Sequence, residues 1–472
     1  MKRTRLTSWI VFAGVLLLVA CSGLSESLLA EWRQESGEKG LGKLAVGVDL
    51  AADPTGSAGL TIAEADKLAG KWEGAVAYSA RKLSTVAAGE KSVSADVIGV
   101  GGAYASFSNI WLYRGGLITE NSIAEHSRVA LVSAGLAERL FAGRDVVGMS
   151  LRLMGSTFTI VGVYEQQGTI LDWMTDNGKP DMLIPITTMV ELDGAVKVAA
   201  IELEAGATTA LTGTSDVQKA LTGIGKQPSR YKIVNYVAER NWVGQKPKLL
   251  LAAAGVAALV LCARLVFGRI KRSAGLMRRG TAADDWPDAV RRYRKELAFD
   301  TFAIVSLAIC ATGVWLAIRY KFYIPAELVP DVLIDWTFYR DIWLEWWREQ
   351  VNAMGYVASP GELMYERVNM LVSRLTAVGI LLGLPLLWIG TREWSMLRLA
   401  ADRRIVRLSL YFVVALFIAA AAARWAGTDY EVRWRELVVL GSLFGLAALA
   451  VPPAGSPTTI RKGEGNDVEQ NV

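Results

Sequence analysis

Few residues in this chain could carry out covalent or metal chemistry. There is one histidine, His126, and there are three cysteines, Cys21, Cys262 and Cys310, among 472 residues. With a single imidazole and no CxxC pair, clustered metal sites and Ser-His-Asp or Cys-His constellations are excluded. His126 sits in a polar, helix-like stretch and reads as an ordinary surface residue. No GxxxxGK[ST] loop occurs, so the chain cannot hydrolyse ATP by that mechanism. Gly99-Val100-Gly101-Gly102 reads as a strand–turn junction rather than a dinucleotide loop, and Asp172, Asp176 and Asp181 lack the spacing of a calcium loop. No cofactor, metal or nucleic acid is expected, and the chain is not expected to be an enzyme. Cysteine usage gives no disulfide framework. Only Cys21 has a chemical signature: Leu18-Val19-Ala20-Cys21, behind a basic start and an apolar run, matches a lipoprotein processing box.

The elements that surround these residues are dominated by lipid-compatible sequence. Hydrophobic residues make up 52% of the chain and the mean hydropathy is +0.30, too apolar for one soluble domain. A span needs about 20 apolar residues. Six stretches approach that length: Ser8–Leu24, Leu249–Phe267, Phe299–Ile318, Leu371–Ile389, Leu408–Ala423 and Leu437–Pro452. Lys2, Arg3 and Arg5 precede the first. Nine bases from Arg269 to Lys295 separate the second and third, and five from Arg392 to Arg407 separate the fourth and fifth. The 320–370 connection is the reverse, with eight acids against four bases. Basic segments stay in the cytoplasm, and all six spans alternate consistently with that rule.

The fold class expected is therefore membrane α-helical, about six transmembrane helices with an inserted extracytoplasmic α+β domain. An anchor occupies 1–24, the exterior domain 25–247, and the second and third spans with their basic loop 248–320. A Trp-rich exterior connection follows at 321–370, where several of Trp336, Phe338, Tyr339, Trp343, Trp346 and Trp347 could share one face of an interfacial helix. The fourth span is 371–391, a second basic loop 392–407, the last two spans 408–453 and a tail 454–472. Both termini are expected inside a bacterial cell membrane. Arg264 and Arg374 lie near span ends and can snorkel, so no polar pore is expected, and the helices read as transmitting movement rather than conducting solute.

Within the exterior region, helical patterns are expected at about 62–84, 120–141 and 208–223. Strands are expected at Val46–Leu50, Val97–Val100, Ser150–Met154, Phe158–Val163, Met182–Ile186, Val198–Leu203 and Tyr231–Val237. From Ser133 to Tyr164 the chain reads as a short amphipathic helix built on Leu136, Leu140 and Phe141, a polar turn at Gly143-Arg144-Asp145, and a hairpin around Gly155-Ser156. Leu136, Leu140, Phe141, Val161 and Val163 are expected in the exterior core.

This order of features resembles the MacB-type periplasmic core domain of permeases in the MacB/FtsX class of ABC transporters. Ser133, Ala137, Leu140-Phe141, Gly148 and Val161-Gly162-Val163 fill the places of the family's "lse-lA-rLFg--d-vGk" and "VvGV" signature, and Leu183-Ile184-Pro185 its later strand. Upstream, Leu60-Thr61 with Ala63-Glu64-Ala65, then Val97 to Val100, Tyr104, Leu112 and Arg114-Gly115-Gly116, extend the resemblance over about residues 60–190. The resemblance implies an ATPase on a separate subunit, a homodimer or heterodimer of permeases, and an N-terminal span, which favours retention of residues 1–24 over lipidation of Cys21. It also implies an ATPase contact at Gly275, Leu276, Met277, Arg278, Arg279 and Gly280, similar to an "EIG-lRAlGa" element but lacking its acid and lengthened at 282–287. A basic segment that only fixes topology and touches anionic lipid is the alternative there. The spans at 408–453 exceed the usual four-span plan. For the whole chain, the alternative is a membrane scaffold or sensor whose exterior domain binds envelope proteins or peptides.

Overall fold

The computed structural model describes residues 2–49, 52–53, 56–165, 180–206, 209–282, 285–325, 329, 336–352, 360–397, 399–431 and 433–450. Asp172, Asp176 and the tail at 454–472 lie outside them.

Helix α1, Lys2–Glu35, runs through the first apolar stretch and on into the polar residues beyond it. A turn with Gly37 and Gly40 in the left-handed region leads into strand β1 (Lys43–Val48). The domain that follows contains α2 (Ile62–Ala69), β2 (Val76–Ala88), β3 (Lys91–Gly102), α3 (Tyr104–Phe107), β4 (Trp111–Gly115), α4 (Glu120–Ala124), β5 (Val129–Ser133) and α5 (Ala134–Phe141). It continues with β6 (Ser150–Leu153), β7 (Ser156–Glu165), β8 (Met182–Pro185), α6 (Ile186–Leu192), β9 (Ala200–Glu204), α7 (Thr209–Gly223) and β10 (Tyr231–Asn235). Ten strands form one sheet ordered β10-β1-β9-β2-β3-β8-β5-β7-β4, and β6 pairs with both β2 and β7. The pairings β2–β3–β8–β5–β7–β6–β2 close a ring, so this part of the sheet curls on itself around a core that includes Val86, Val97, Val132, Leu151, Phe158 and Ile184.

Local chemistry accounts for the signature region. Ser133 caps α5, its hydroxyl accepting from the Leu136 N–H at 3.1 Å. Thr61 and Glu64 form a reciprocal capping box at α2. The β6–β7 hairpin is present, but its two-residue turn is Met154-Gly155, both with positive φ, one residue earlier than read from the sequence. Leu136, Leu140 and Val163 are buried, Phe141 packs against the same cluster from its edge, and Val161 is half-buried outside it.

Two helices expected from the sequence are corrected. The 62–84 pattern stops at Ala69, because Gly70 caps it and Gly74 takes φ +131°, and the alanine-rich stretch after it is β2. Small residues there suit a strand paired with β3, β9 and β6. The 120–141 pattern is a short helix, a strand and a second helix: Val129–Ser133 is held between β7 and β8, so sheet pairing overrides helical periodicity. His126 lies between them in a turn, with positive φ and its Nδ1 3.2 Å from Glu191 Oε2.

Helix α8 (Tyr236–Gly244) returns the chain to the bundle, followed by α9 (Lys246–Gly280), α10 (Trp286–Arg292) and α11 (Arg294–Ile318). Then come α12 (Trp336–Asn352), α13 (Pro360–Val378), a π-helical turn at Gly379–Gly383, α14 (Leu384–Met396), α15 (Ala401–Trp425) and α16 (Trp434–Leu449). Among the described residues, five helical segments are long and apolar enough to cross a membrane, within Arg5–Glu35, Tyr236–Gly280, Arg294–Ile318, Gly361–Trp394 and Ala401–Trp425. The sixth expected span is α16, a 16-residue helix. On α12, Trp336, Trp343 and Trp347 are exposed, and the last two stack at 6.2 Å.

Glycine sets how closely α1 meets α14. A Cβ on Gly14 would lie 2.6 Å from Leu387 N, and one on Gly390 would lie 2.5 Å from Val11 Cγ2 and 3.1 Å from Val11 N. Backbones approach this closely in membranes because lipid supplies no hydrophobic drive and packing must hold the helices. Gly390→Leu should therefore push α14 from α1 and cost about 1–3 kcal/mol, read as a lower unfolding temperature in detergent. Gly268→Leu, a position with open space around its Cβ, should leave that temperature unchanged.

Candidate functional site

The geometry that bears on function lies where the helices meet the domain and where they end on the opposite side. At the domain side, α1 and α9 both feed one sheet edge: α1 leads into β1, α9 is reached from β10 through α8, and β1 pairs with β10 antiparallel. Beneath that edge Trp32, Tyr236, Val243, Val368 and Val372 form a separate buried cluster that ties α1, α8 and α13 together. Lys246 Nζ donates to Ser373 Oγ at 2.7 Å and to Asn369 Oδ1, and Lys232 pairs with Glu362 at 2.7 Å. Lys43 Nζ bonds Glu202 at 2.7 Å and the Phe107 carbonyl at 3.1 Å, and it lies over the Tyr236 ring.

The turn between α1 and β1 is held by a second clamp. Lys39 Nζ lies 2.7 Å from Glu204 Oε1, Ala75 N–H donates to Glu204 Oε2 at 2.9 Å, and the Glu204 carbonyl accepts from Trp72 Nε1 at 2.9 Å. Lys39, then the Ala75 amide, hold the Glu204 carboxyl below the usual carboxylate range. A depressed carboxyl adds stability that is present above its unfolded pKa of about 4.3 and is lost as pH falls through the lower folded value. Unfolding of the full chain in detergent should therefore come at lower temperature as pH drops below about 4. Glu204→Gln should shrink that acid dependence.

Lower on the same side, α1 carries a buried charge. Glu26 Oε2 receives a 2.8 Å bond from Arg433 Nη1, and its side chain is 4% exposed. Glu436 is also buried, with Oε1 lacking a hydrogen-bond partner. Tyr430 closes over Gly23, where a Cβ would lie 2.2 Å from the ring. The sequence reading placed Glu26 at the start of the exterior domain and missed this pairing. Glu26 and Arg433 are about four hundred positions apart, so no local spacing announces it; an acid just past the end of an apolar run was the available signal.

At the opposite side, the six residues expected as an ATPase-contact loop are not a loop. Gly275, Leu276, Met277, Arg278, Arg279 and Gly280 form the last turns of α9, which continues unbroken through them. This correction has a simple cause: the only glycines there, Gly275 and Gly280, interrupt strong helix formers, and Gly280 is used for close packing. Its missing Cβ would lie 2.7 Å from Ala289 Cβ, so α10 folds back tightly on α9. Arg278, Arg279, Arg291 and Arg292 are all exposed on this pair of helices. Asp300, 1% exposed, anchors the pair to α11 by accepting from Arg269 Nη1 and Ser273 Oγ, each at 3.0 Å. Cys21 lies mid-helix in α1, 3% exposed and packed on Gly379. Among the described residues no group of acids, histidines and cysteines could hold a metal ion.

These features define a membrane protein with an extracytoplasmic α+β domain on two long helices. Residues 4–215 match the model of the MacB-like periplasmic core domain. That match covers a little under half of the chain. Among curated proteins, none matches. Solved structures are similar to part of the chain, among them the following two. The extracellular domain of the noncanonic ABC-type transporter YknZ from Gram-positive bacteria is 19% identical, covers 41% of this chain and 100% of its own, and has a TM-score of 0.34. The periplasmic region of MacB from Actinobacillus actinomycetemcomitans is 16% identical, covers 45% of this chain and 94% of its own, and has a TM-score of 0.36.

Proposed function

We propose that the chain is the permease-like subunit of an ABC transporter of the MacB/FtsX class. A separate ATPase docks on the cytoplasmic helix pair around Arg278, Arg279, Arg291 and Arg292, and permease subunits pair as a homodimer or heterodimer. ATP-driven movement is passed along α1 and α9 to the exterior domain, for export or other work in the envelope. Both termini are cytoplasmic in this reading, and the chain performs no catalysis itself. The observation that carries it is the arrangement of α1 and α9: each extends past its apolar stretch, α1 connects through a turn to β1, and α9 connects through α8 to β10, the adjacent strand of the same sheet. Burial of Cys21 inside an unbroken helix supports keeping residues 1–24 as a span rather than cleaving and lipidating at Cys21. Affinity purification of the full chain in mild detergent is the test: a P-loop ATPase in stoichiometric amount is expected. Recovery of envelope proteins without any nucleotide-binding partner would favour a scaffold or sensor instead.

A further inference from the structure

Helix α12 belongs to the connection between two apolar segments, after α11 and before the span that begins in α13. The chain leaving α11 is pinned at the root of the exterior domain. There the Tyr323 N–H donates to Gln245 Oε1 at 3.2 Å, just ahead of α9, and the Tyr323 hydroxyl donates to the Ala210 carbonyl at 3.4 Å. The start of α13 is pinned on the same side: Glu362 pairs with Lys232 of β10, and a Cβ on Gly361 would lie 2.4 Å from the Tyr236 hydroxyl. Both ends of the connection are thus held where the domain meets the outer ends of the spans. With 17 residues and five charges, α12 is too short and too polar to cross the bilayer itself.

Its exposed residues are sorted by type. Trp336, Trp343 and Trp347 are spaced by seven and four, so at 3.6 residues per turn they share an arc of about 40°, and they are 82%, 58% and 55% exposed. Thr337, Asp341 and Arg348, also exposed, fall on a second arc about 120° away. Arg340, beside the tryptophans, is already paired with Asp341 at 2.9 Å. The helix as a whole carries three acids, Asp341, Glu345 and Glu349, against two bases.

We propose that α12 lies on the outer leaflet with its tryptophan stripe sunk among the lipid headgroups, and that aromatic burial rather than charge holds it there. Continuity decides the occupant: the connection is fixed at the boundary between domain and spans, so lipid is the surface the helix meets. Tryptophan suits that boundary because its ring is apolar and its N–H is polar. A sugar polymer fits less well. The stripe runs about 16 Å along the helix, and the one charged group beside it among the described residues is already paired. The excess of acids gives anionic lipid no advantage, unlike the basic amphipathic helices that adsorb by charge. The inference rests on insertion of the spans in a bilayer and not on ATPase coupling.

The test uses tryptophan fluorescence of the full chain in phosphatidylcholine vesicles. Subtracting the emission of a Trp336→Phe, Trp343→Phe, Trp347→Phe variant isolates the stripe, and phenylalanine keeps the helix apolar there. Lipid brominated near the headgroup should quench this difference at least about twofold, and lipid brominated at the chain ends far less, as a face buried about 5–10 Å requires. Adding phosphatidylglycerol should leave the quenching unchanged. Absence of quenching overturns the proposal, and so does equal quenching by the chain-end bromines, which would mean a crossing helix. Quenching that appears only with phosphatidylglycerol would replace aromatic burial by charge and overturn it as well. So would shielding of the stripe by soluble cell-wall glycan fragments in place of lipid. Trp315 and Trp388, exposed on two candidate spans, are present in both proteins; if their emission also escapes every brominated lipid, membrane insertion itself is overturned.

Discussion

Arg278→Gln, Arg279→Gln, Arg291→Gln and Arg292→Gln combined will reduce capture of the ATPase at least about a hundredfold, since truncating interfacial charges that become buried on docking costs about 2–5 kcal/mol apiece. The four guanidiniums stand on two helices held together where Gly280 meets Ala289, so they form one surface rather than a flexible strand. Gly280→Val separates position from charge: it keeps every arginine but forces α10 away from α9, and it should weaken capture as well. Lys271→Gln, an exposed base on the same helix, should have little effect. Quantitative co-purification with the three variants provides the readout. Unchanged recovery from the fourfold variant would remove the docking assignment, and equal loss from Lys271→Gln would reduce it to general charge attraction.

Arg433→Gln is expected to be among the most destabilising single changes in the chain. It strips the cation from Glu26, which is buried to 4% exposure with Glu436 buried nearby. Breaking such a pair from one side costs about 3–5 kcal/mol, because a buried charge is left without compensation. Removing both partners should cost much less, so Glu26→Gln with Arg433→Gln should recover most of the loss. Thermal unfolding in detergent for the wild type, both single variants and the double variant closes the cycle. Additive losses in the double variant would show that the two residues act separately.

Local features of the domain were legible because they rest on short-range chemistry. The short helix after Ser133 and the hairpin after Leu153 each depend on residues within a few positions; the caps at Ser133 and Thr61 were seen only in the structure. Burial of Leu136 and Leu140 followed from helical spacing. What periodicity could not supply was the partner of each strand. Val129 to Ser133 carries a pattern compatible with a helix, and only the neighbours β7 and β8 make it a strand. The same holds for the site. Basic residues at 278, 279, 291 and 292 were visible as a cluster, but not that they sit on helices, since that depends on Gly280 packing against a residue beyond the 282–287 insertion. Glu26, Asp300 and Lys246 escaped for a related reason: each is matched by a residue distant in sequence, and a charge alone reads as solvated.

Two rods of 34 and 35 residues, each about 50 Å long, connect through a turn and through α8 to strands that share one hydrogen-bond ladder. Differential sliding of the rods would have to shear β1 against β10, and a ladder yields only in whole-residue steps that turn every side chain to the wrong face. Small strokes are therefore forbidden to the sheet and must appear as tilt. Leaning the pair by about 10° sweeps their outer tips sideways by about 9 Å at that length. Under the proposed coupling, the domain swings as a solid paddle, its amplitude set by rod length and its shape preserved by register.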